Sequence, residues 1–154
     1  MRAKTAKYEE FVLEVEFDPA GAPGDYQNVC GLVDVTINRT SNVDTTEVPD
    51  CDDESLPMAI ERAVRSQEVS ITATGVWALQ SSSKVDAWWR SGATLNTRLR
   101  NARAEADGAA GDVTAETGPA LLVSMSNART KGQKVTAELE IQFDGVPGTT
   151  KKAA

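Results

Sequence analysis

Residues 67–92, which read QEVSITATGVWALQSSSKVDAWWRSG, join a long alternating strand directly to a short amphipathic helix. Apolar or small residues occupy the odd positions from Val69 to Trp77, and polar residues occupy the even positions from Glu68 to Thr74. Because successive side chains of a strand point to opposite faces, this pattern predicts a sheet with one dry face. The stretch therefore indicates a β protein whose sheet carries a covering helix.

A short helix follows this strand and is predicted to span about residues 83–91. The run Ser81-Ser82-Ser83 offers hydroxyl side chains of the kind that cap helix N-termini, and Gly92 stands where a C-cap glycine belongs. A single helix of this length flanks a sheet, where it can plug an open end or cover an edge that would otherwise invite aggregation.

Two adjacent tryptophans, Trp88 and Trp89, lie on this helix at helical spacing from Val85. Neighbouring helix residues point about 100° apart, so both rings cannot be buried equally against one sheet. We expect one tryptophan to pack in the core with Val85. The other is a boundary residue or an anchor in a subunit contact, where tryptophan is enriched.

The remaining alternation predicts further strands, separated by turn-forming segments. These strands cover about residues 10–17, 32–39, 94–103, 120–127 and 134–143. The first two are expected to form a hairpin. The pattern predicts a mainly β fold, an antiparallel β-sandwich or barrel with one flanking α-helix, in a single domain of residues 1–154. Residues 146–154 are predicted to form a mobile C-terminal tail.

The longest predicted connection, a long loop or arm, covers residues 40–66 and contains Pro49, Pro57 and a dense acidic cluster. Connections of this length are uncommon in compact domains and are usually functional or disordered. Residues 58–65 fit either a brief helical turn or an extended hairpin arm. Because apolar residues recur through the segment, we expect an arm that is loose in the monomer and orders against a neighbouring molecule. Its candidate contact residues are Val48, Asp50, Asp52, Asp53, Leu56, Met58 and Ile60.

The composition argues against several classes of function. The formal net charge of −7 opposes sequence-independent DNA binding, which depends on lysine and arginine displacing counterions from phosphates. No apolar run is long enough to span a bilayer, and no signal-peptide core follows the basic N-terminus. We therefore expect a protein that is cytosolic at synthesis, makes no membrane contact and keeps Cys30 and Cys51 reduced.

The sequence offers no convincing metal site. Histidine, the commonest general base and transition-metal ligand, is absent. Acidic residues occupy the first, third, fifth and twelfth places of a calcium loop that would run from Asp50 to Glu61. The sixth place, which requires glycine in such loops, is Ser55, and Pro57 interrupts the segment. A solvated acidic loop is the better interpretation, and we expect no metal and no cofactor.

Two pairs of carboxylates are the remaining candidates for acid/base chemistry. Glu14 and Glu16 form one pair, and Glu138 and Glu140 form the other. Each pair alternates with apolar residues, so a solvated strand face accounts for both without any catalytic role. With no nucleophile and base in a recognisable pattern, we expect that the protein is not an enzyme.

Four short motifs, taken in order, resemble one known family. They are VCGL at 29–32, DVTIN at 34–38, VSITATGVW at 69–77 and VTAELEIQFDG at 135–145, with the long arm between the second and third. This order is similar to that of the major tail tube proteins of long-tailed phages, and the tail tube protein of a gene transfer agent would look the same. The third motif resembles the strand that precedes the helix in this family.

The resemblance implies a structural virion protein whose hexameric rings stack into a hollow tail tube that conducts DNA into the host. It implies assembly in the host bacterial cytoplasm and location in the virion tail, with tape-measure, tail terminator and tail-tip proteins as partners. DNA would pass through the lumen without specific binding, because an acidic wall repels phosphates. The candidate lumen-facing acidic residues are Glu14, Glu16, Asp34, Glu68, Glu138 and Glu140.

The contacts between subunits follow from the same resemblance. Residues 40–66 would join successive rings. Lateral contacts in a ring join two different patches of neighbouring subunits. Arg98 and Arg100 would interrupt an acidic lumen, so we expect them to face a neighbouring subunit and to pair with acidic residues there. The candidate subunit-contact residues are Trp88, Trp89, Arg98 and Arg100.

Other functions remain open on the sequence alone. A type VI secretion tube subunit or a tail terminator would use the same fold, and the long arm favours a tail tube over both. A small β-sandwich module that binds a carbohydrate or a protein would be expected to expose aromatic residues in its loops, and Tyr26 is the one such residue in a predicted loop.

Overall fold

The computed structural model describes residues 11–101 and 113–151, and these residues form eight strands and one helix. The strands are β1 (Phe11–Val15), β2 (Gln27–Asn28), β3 (Leu32–Val48), β4 (Ala59–Val76), β5 (Leu95–Asn101), β6 (Val113–Ala128), β7 (Thr136–Phe143) and β8 (Gly148–Lys151). The helix α1 (Leu79–Ser91) lies between β4 and β5. Within the described ranges, no helix has the length and apolar character needed to cross a membrane.

All eight strands belong to one antiparallel sheet in the order β2-β1-β5-β6-β7-β4-β3, with β8 also paired to β6. The prediction of a mainly β protein with one helix is confirmed, and the sheet does not close. The predicted hairpin between the first two long strands is wrong. β1 pairs with β2 and β5, whereas β3 pairs with β4.

The sheet folds over on itself, and β6 belongs to both halves. Its residues 115–120 pair with β5, and its residues 120–128 pair with β7. Arg39 of β3 forms an ion pair with Glu116 of β6, although β7 and β4 separate these strands in the sheet. On a flat sheet the two residues would be about 14 Å apart across the strands and several residues apart along them. The ion pair therefore requires the halves to turn toward each other.

The core lies on the face that the two halves share, which we call the inner face. Val69, Ile71 and Ala73 of β4 are buried there, and the intervening polar residues are not, as the alternation predicts. Helix α1 adds Val85 and Trp88 to the same cluster. The other buried members are Leu13, Val15, Val29, Leu95, Leu99, Ala120, Leu122, Leu139, Ile141 and Phe143. One apolar cluster thus holds five strands and the helix together.

Helix α1 begins four residues before the predicted start at residue 83. Its N-cap is Ala78, which makes no side-chain capping bond, so the prediction that Ser81, Ser82 and Ser83 cap the helix is wrong. These serines lie inside the first turns, where the Ser82 hydroxyl donates to the carbonyl of Leu79 at 3.2 Å. The predicted C-cap is confirmed, because Gly92 has a left-handed φ of 64°.

The segment 40–66 is the outer half of a long hairpin rather than a loop, a structure that the sequence offered only as an alternative for residues 58–65. β3 and β4 pair from Leu32 with Gly75 out to Val48 with Ala59, so the unpaired connection is only residues 49–58. Both prolines of the segment fall in this connection, where a missing backbone N–H leaves no gap in the strand ladder. We keep the name "arm" for residues 40–66.

A β-bulge lies near the base of the arm. Asn42 pairs with Ser66 and Val43 pairs with Val64, which leaves Arg65 as an extra residue on β4. Because side chains alternate along a strand, the extra residue moves the even positions of β4 onto the inner face beyond the bulge. The inner face of the arm consequently carries Val43, Ile60 and Val64, all of which are exposed.

The C-terminal segment does not match the predicted mobile tail of residues 146–154. Gly148–Lys151 form β8, which pairs with β6 beside Glu116 and Thr117. β7 and β8 follow each other along one edge of β6, so the chain resumes the same ladder after residues 144–147. A strand of only four residues is too short to show an alternating pattern, so the sequence did not predict β8. Residues 152–154 lie outside the described range.

Candidate functional site

Four of the six predicted lumen residues lie on one polar face of the sheet. On β3, β4, β7 and β6 the face opposite the core, which we call the outer face, carries hydroxyl and carboxyl groups in rows that cross the strands. One row is Asp34, Thr74, Glu138 and Ser126, and the next is Thr36, Thr72, Glu140 and Ser124. Glu68 lies further along the same face, opposite Thr40. Asp34, Glu68 and Glu138 are exposed, and Glu140 is half-buried.

The outer face carries little positive charge to balance these carboxylates. Of the arginines in the described parts of β3, β4 and β7, Arg39 and Arg62 lie on the inner side, and Arg65 is the bulge residue. Arg65 is 3.8 Å from the carboxylate of Asp44, which is also on the arm. The two rows named above therefore present carboxyl and hydroxyl groups without a positive charge, and such a surface repels phosphates.

The other two predicted lumen residues are not on that face. Glu14 and Glu16 are on β1 and directly after it, and their exposed fractions are only 5% and 6%. The prediction that they project from a solvated strand face is wrong. Both faces of β1 are covered, because the inner face packs in the core and the loop between β1 and β2 lies against the other face.

The carboxylate of Glu14 is held by two arginines from the neighbouring strand. The guanidinium groups of Arg98 and Arg100 both lie 2.6 Å from its oxygens. Glu14 is directly opposite Arg98 in the β1–β5 ladder, so all three side chains share one face. Both arginines thus have an acidic partner within their own chain, and their contact with a neighbouring subunit stays a prediction. Their partner is Glu14 of the same chain.

The loop between β1 and β2 closes over this ion pair. The backbone N–H of Gly24 donates to the Glu16 carboxylate at 2.8 Å, and the Arg98 guanidinium lies 4.2 Å from the centre of the Tyr26 ring. Burial raises the pKa of the Tyr26 hydroxyl, the Glu16 charge raises it further, and the Arg98 charge opposes both effects. The network connects β1, β5 and the loop, so these charges serve to stabilise the fold.

Replacement of Glu14 by Gln is expected to lower the free energy of unfolding by about 1–3 kcal/mol. The change leaves two guanidinium groups beside a neutral amide. Because both arginines are partly exposed, water can solvate their charges in the variant, and the loss of stability is smaller than for a fully buried ion pair. Urea unfolding followed by tryptophan fluorescence measures the effect. The matched control is Glu68→Gln on the outer face, which should change stability by less than about 0.5 kcal/mol. Equal unfolding midpoints for the two variants would show that the Glu14 ion pairs contribute no stability.

The two tryptophans of α1 have different environments. Trp88 is only 4% exposed, its indole N–H donates to the carbonyl of Ala93 at 2.8 Å, and its ring meets Phe17 edge to face. It is therefore the tryptophan that packs with Val85, and its prediction as a subunit contact is wrong. Trp89 is 46% exposed and has the Arg90 guanidinium above its ring at 6.0 Å. Trp89 keeps the role of candidate contact residue.

The acidic cluster at the end of the arm organises its own turn. Asp50 accepts hydrogen bonds from the backbone N–H groups of Asp52 and Asp53, and Asp53 accepts two from Ser55. These bonds from Ser55 lower the pKa of the Asp53 carboxyl. In residues 11–101 and 113–151 no three potential metal-ligating side chains are grouped closely enough to hold an ion. Cys51, between these acids, is a free and exposed thiol, as is Cys30.

The apolar residues of the arm have no cover within the described chain. Leu56, Met58 and Ile60 are each about half exposed, and Val48 is half-buried. Val43 and Val64 add to this surface, although the sequence did not place them among the contact residues. The sequence does contain a signal for Val64. Along β4 the large apolar residues stand at even positions before Arg65, such as Ile60 and Val64, and at odd positions after it, such as Val69.

Comparison with known proteins finds one sequence family and several solved structures that are similar to this chain. A sequence-family model described as phage tail tube protein matches residues 6–148. No curated protein sequence matches. The tail of an empty gene transfer agent particle, refined with C6 symmetry, shares 14% identity with a TM-score of 0.71, over 95% of this chain and 99% of the other. The SPP1 tail tube shares 10% identity with a TM-score of 0.70, over 97% and 81%. At these identities the structural likeness concerns the fold.

Proposed function

We propose a structural role in a virion tail for this chain, which belongs to the phage tail tube protein family. The match over residues 6–148 is the observation that carries the proposal, and it confirms the resemblance seen in the short motifs. Rings of six copies stack into a hollow tube through which DNA passes. The C6 symmetry of the similar gene transfer agent tail supports six copies in each ring.

The outer face of β3, β4 and β7 lines the channel in this proposal. Asp34, Glu68, Glu138 and Glu140 share that face, and six copies would repeat their charges around the lumen. DNA would meet negative and hydroxyl groups along the wall and would move without being held. Glu14 and Glu16 drop out of the proposed lining, because the fold buries both.

The arm makes the contact between successive rings in this proposal. The inner face of the arm is a continuation of the apolar face that forms the core. On the arm, however, no part of the described chain covers this face. An exposed apolar strand pair of this kind gains free energy when another molecule covers it. Trp89 is the candidate for lateral contact within a ring, since exposed tryptophans are enriched at such interfaces.

The role is mechanical rather than catalytic, and the other partners are those of a tail. Within the virion the tube would enclose a tape-measure protein and end against terminator and tail-tip proteins. Assembly would take place in the host bacterial cytoplasm. These partners follow from the family alone, and no described residue of this chain is assigned to any of them.

Electron microscopy of the purified full-length protein tests this function. The expected result in negative stain is sixfold rings and hollow tubes, formed by the protein without any added cofactor. Helical reconstruction of the tubes should place the outer face of β3, β4 and β7 against the channel. A protein that stays monomeric at high concentration, even with tail-tip initiator added, would contradict the tube. Tubes with this face on the outside would contradict the assignment of the lumen.

A further inference from the structure

The two ends of strand β4 carry opposite charges. β4 runs from Ala59, beside the arm's connection, to Val76, beside the start of α1. At about 3.3 Å per residue its 18 residues span about 55 Å. We call residues 44–61, at the first end, the acidic tip and residues 129–135, at the second end, the basic turn.

The acidic tip contains seven carboxylates and no lysine or arginine. The acidic residues are Asp44, Glu47, Asp50, Asp52, Asp53, Glu54 and Glu61. All seven are exposed, and the hydrogen bonds of Asp50 and Asp53 hold the connection in a compact turn. The acidic tip is therefore a formed, negative surface. The nearest arginines are Arg62, opposite Thr45, and Arg65, 3.8 Å from the Asp44 carboxylate, and both lie on the side of the tip toward the rest of the sheet, so the carboxylates remain in excess.

The basic turn lies at the other end of β4. Thr136, the first residue of β7, pairs with Val76, and the backbone N–H of Trp77 donates to the carbonyl of Val135 at 2.8 Å. The turn joins β6 to β7, so it projects from this end of the sheet. It carries Arg129, Lys131 and Lys134, all exposed, and no acidic residue.

Exposed apolar side chains accompany the charges at both ends. At the acidic tip these are Leu56, Met58 and Ile60, each about half exposed. Near the basic turn they are Val76 at the end of β4, Val135 directly before β7, and Leu79, which is 82% exposed at the start of α1. Such residues cost free energy in water and gain it when a partner covers them.

We infer that the acidic tip of one copy docks on the basic turn and its neighbouring apolar residues in a copy of the next ring. The inference rests on the proposed function and deepens it by naming the surface that receives the arm. The two ends are complementary in charge, and each has apolar residues for the other to cover. The contact joins two different surfaces, which lie at opposite ends of β4. Each copy can therefore contact one copy above it and one below it, and the contacts build an open stack instead of a closed ring.

Exchange of the charges tests the inference. Lys131→Glu with Lys134→Glu, and separately Asp52→Lys with Glu54→Lys, should each leave single rings and abolish tubes in negative stain. Asp52 and Glu54 are chosen because Asp50 and Asp53 hold the turn together. The chain with all four substitutions keeps the net charge of −7, since each pair changes it by four units in opposite directions. This chain should form tubes again, because the two surfaces are once more opposite in charge.

A matched control separates the docking surface from a general effect of charge. Lys84→Glu on α1 and Lys131→Glu on the basic turn each lower the net charge by two, from −7 to −9. Only the Lys131 variant is expected to shorten tubes. If both exchanged pairs polymerise like the original chain, the inference is overturned and the proposed function stands. If the original chain forms neither rings nor tubes, the proposed function itself fails.

Cross-linking through Cys51 gives a second measurement that does not depend on the charge variants. Cys51 is free, exposed and inside the acidic tip. In a Cys30→Ser background, Lys131→Cys places a second thiol on the basic turn. A short bismaleimide should then join assembled chains into a ladder on a denaturing gel, because each chain has one tip and one turn. Removal of Cys51 should abolish the ladder. Tubes that give no ladder would exclude this pair of surfaces.

Discussion

A chain in which the two residues Asn-Gly replace residues 45–62 is expected to fold normally and to form no stacked tubes. The deletion leaves Asp44 opposite Ala63, which are partners in the hairpin, and a two-residue Asn-Gly turn suits the twist of such a strand pair. No residue of the deleted segment belongs to the core cluster. The deletion thus removes much of the exposed apolar surface of the arm and leaves the core unchanged.

Two measurements on this variant separate folding from assembly. Thermal unfolding followed by circular dichroism should give a melting temperature within a few degrees of that of the full chain, since little buried area is lost. Negative-stain images should contain rings but no tubes. Tubes of normal length would move the stacking contact to another surface. A large fall in melting temperature would mean that the arm stabilises the body, and the assembly result would then be uninformative about stacking.

Replacement of Gly75 by Ala is expected to destabilise the fold more than Glu14→Gln does. A Cβ at this position would lie 2.1 Å from the carbonyl oxygen of Gly31, 2.7 Å from the Cα of Leu32 and 2.8 Å from the backbone N of Val33. All three atoms are backbone, so no side chain can move aside. The β3–β4 ladder must open at this point, and the hydrogen bond from Val76 N–H to Gly31 C=O is disturbed with it.

The cost is expected to be about 3 kcal/mol or more, the upper range for overpacking a core, against a total stability of about 5–15 kcal/mol. Urea unfolding gives the difference in free energy. Gly148→Ala is the matched control, because Gly148 also lies in a strand and its added Cβ would meet only the Thr117 carbonyl oxygen at 3.8 Å. The control should unfold within about 0.5 kcal/mol of the original chain. Similar losses for both variants would contradict the close approach of Gly31 and Gly75.

The alternation of residues predicts the faces of the strands because that pattern is local. Odd-numbered apolar residues of β4 and β7 lie in the core, and the polar residues between them lie on the outer face. The sequence therefore placed Asp34, Glu68, Glu138 and Glu140 together on one class of surface. The same alternation predicted β5, in which Leu95 and Leu99 are buried and Arg98 and Arg100 are not. Gly92, as a left-handed C-cap, was also readable from its neighbours alone.

The helix start and the arm show how far local signals reach. Three serines in a row favour an N-cap, yet the helix begins before them at Leu79, so tertiary packing outweighed capping propensity. In the arm, two prolines and a dense acidic cluster look like a loop. Pairing of β3 with β4 over many residues outweighs that local signal, and the prolines fall in the connection between the strands.

By itself the sequence determined the β class, the single helix, the faces of most strands and, through four short motifs, the family. Each of these depends on neighbouring residues or on short segments. Only the tertiary structure decided which strands are neighbours, and this changed the roles of several charges. Glu14 looks like a solvated carboxylate until β5 lies beside β1 and brings Arg98, 84 residues away, within 2.6 Å. Pairing between distant strands depends on the contacts of the whole sheet and on loop entropy, and no local pattern contains that information.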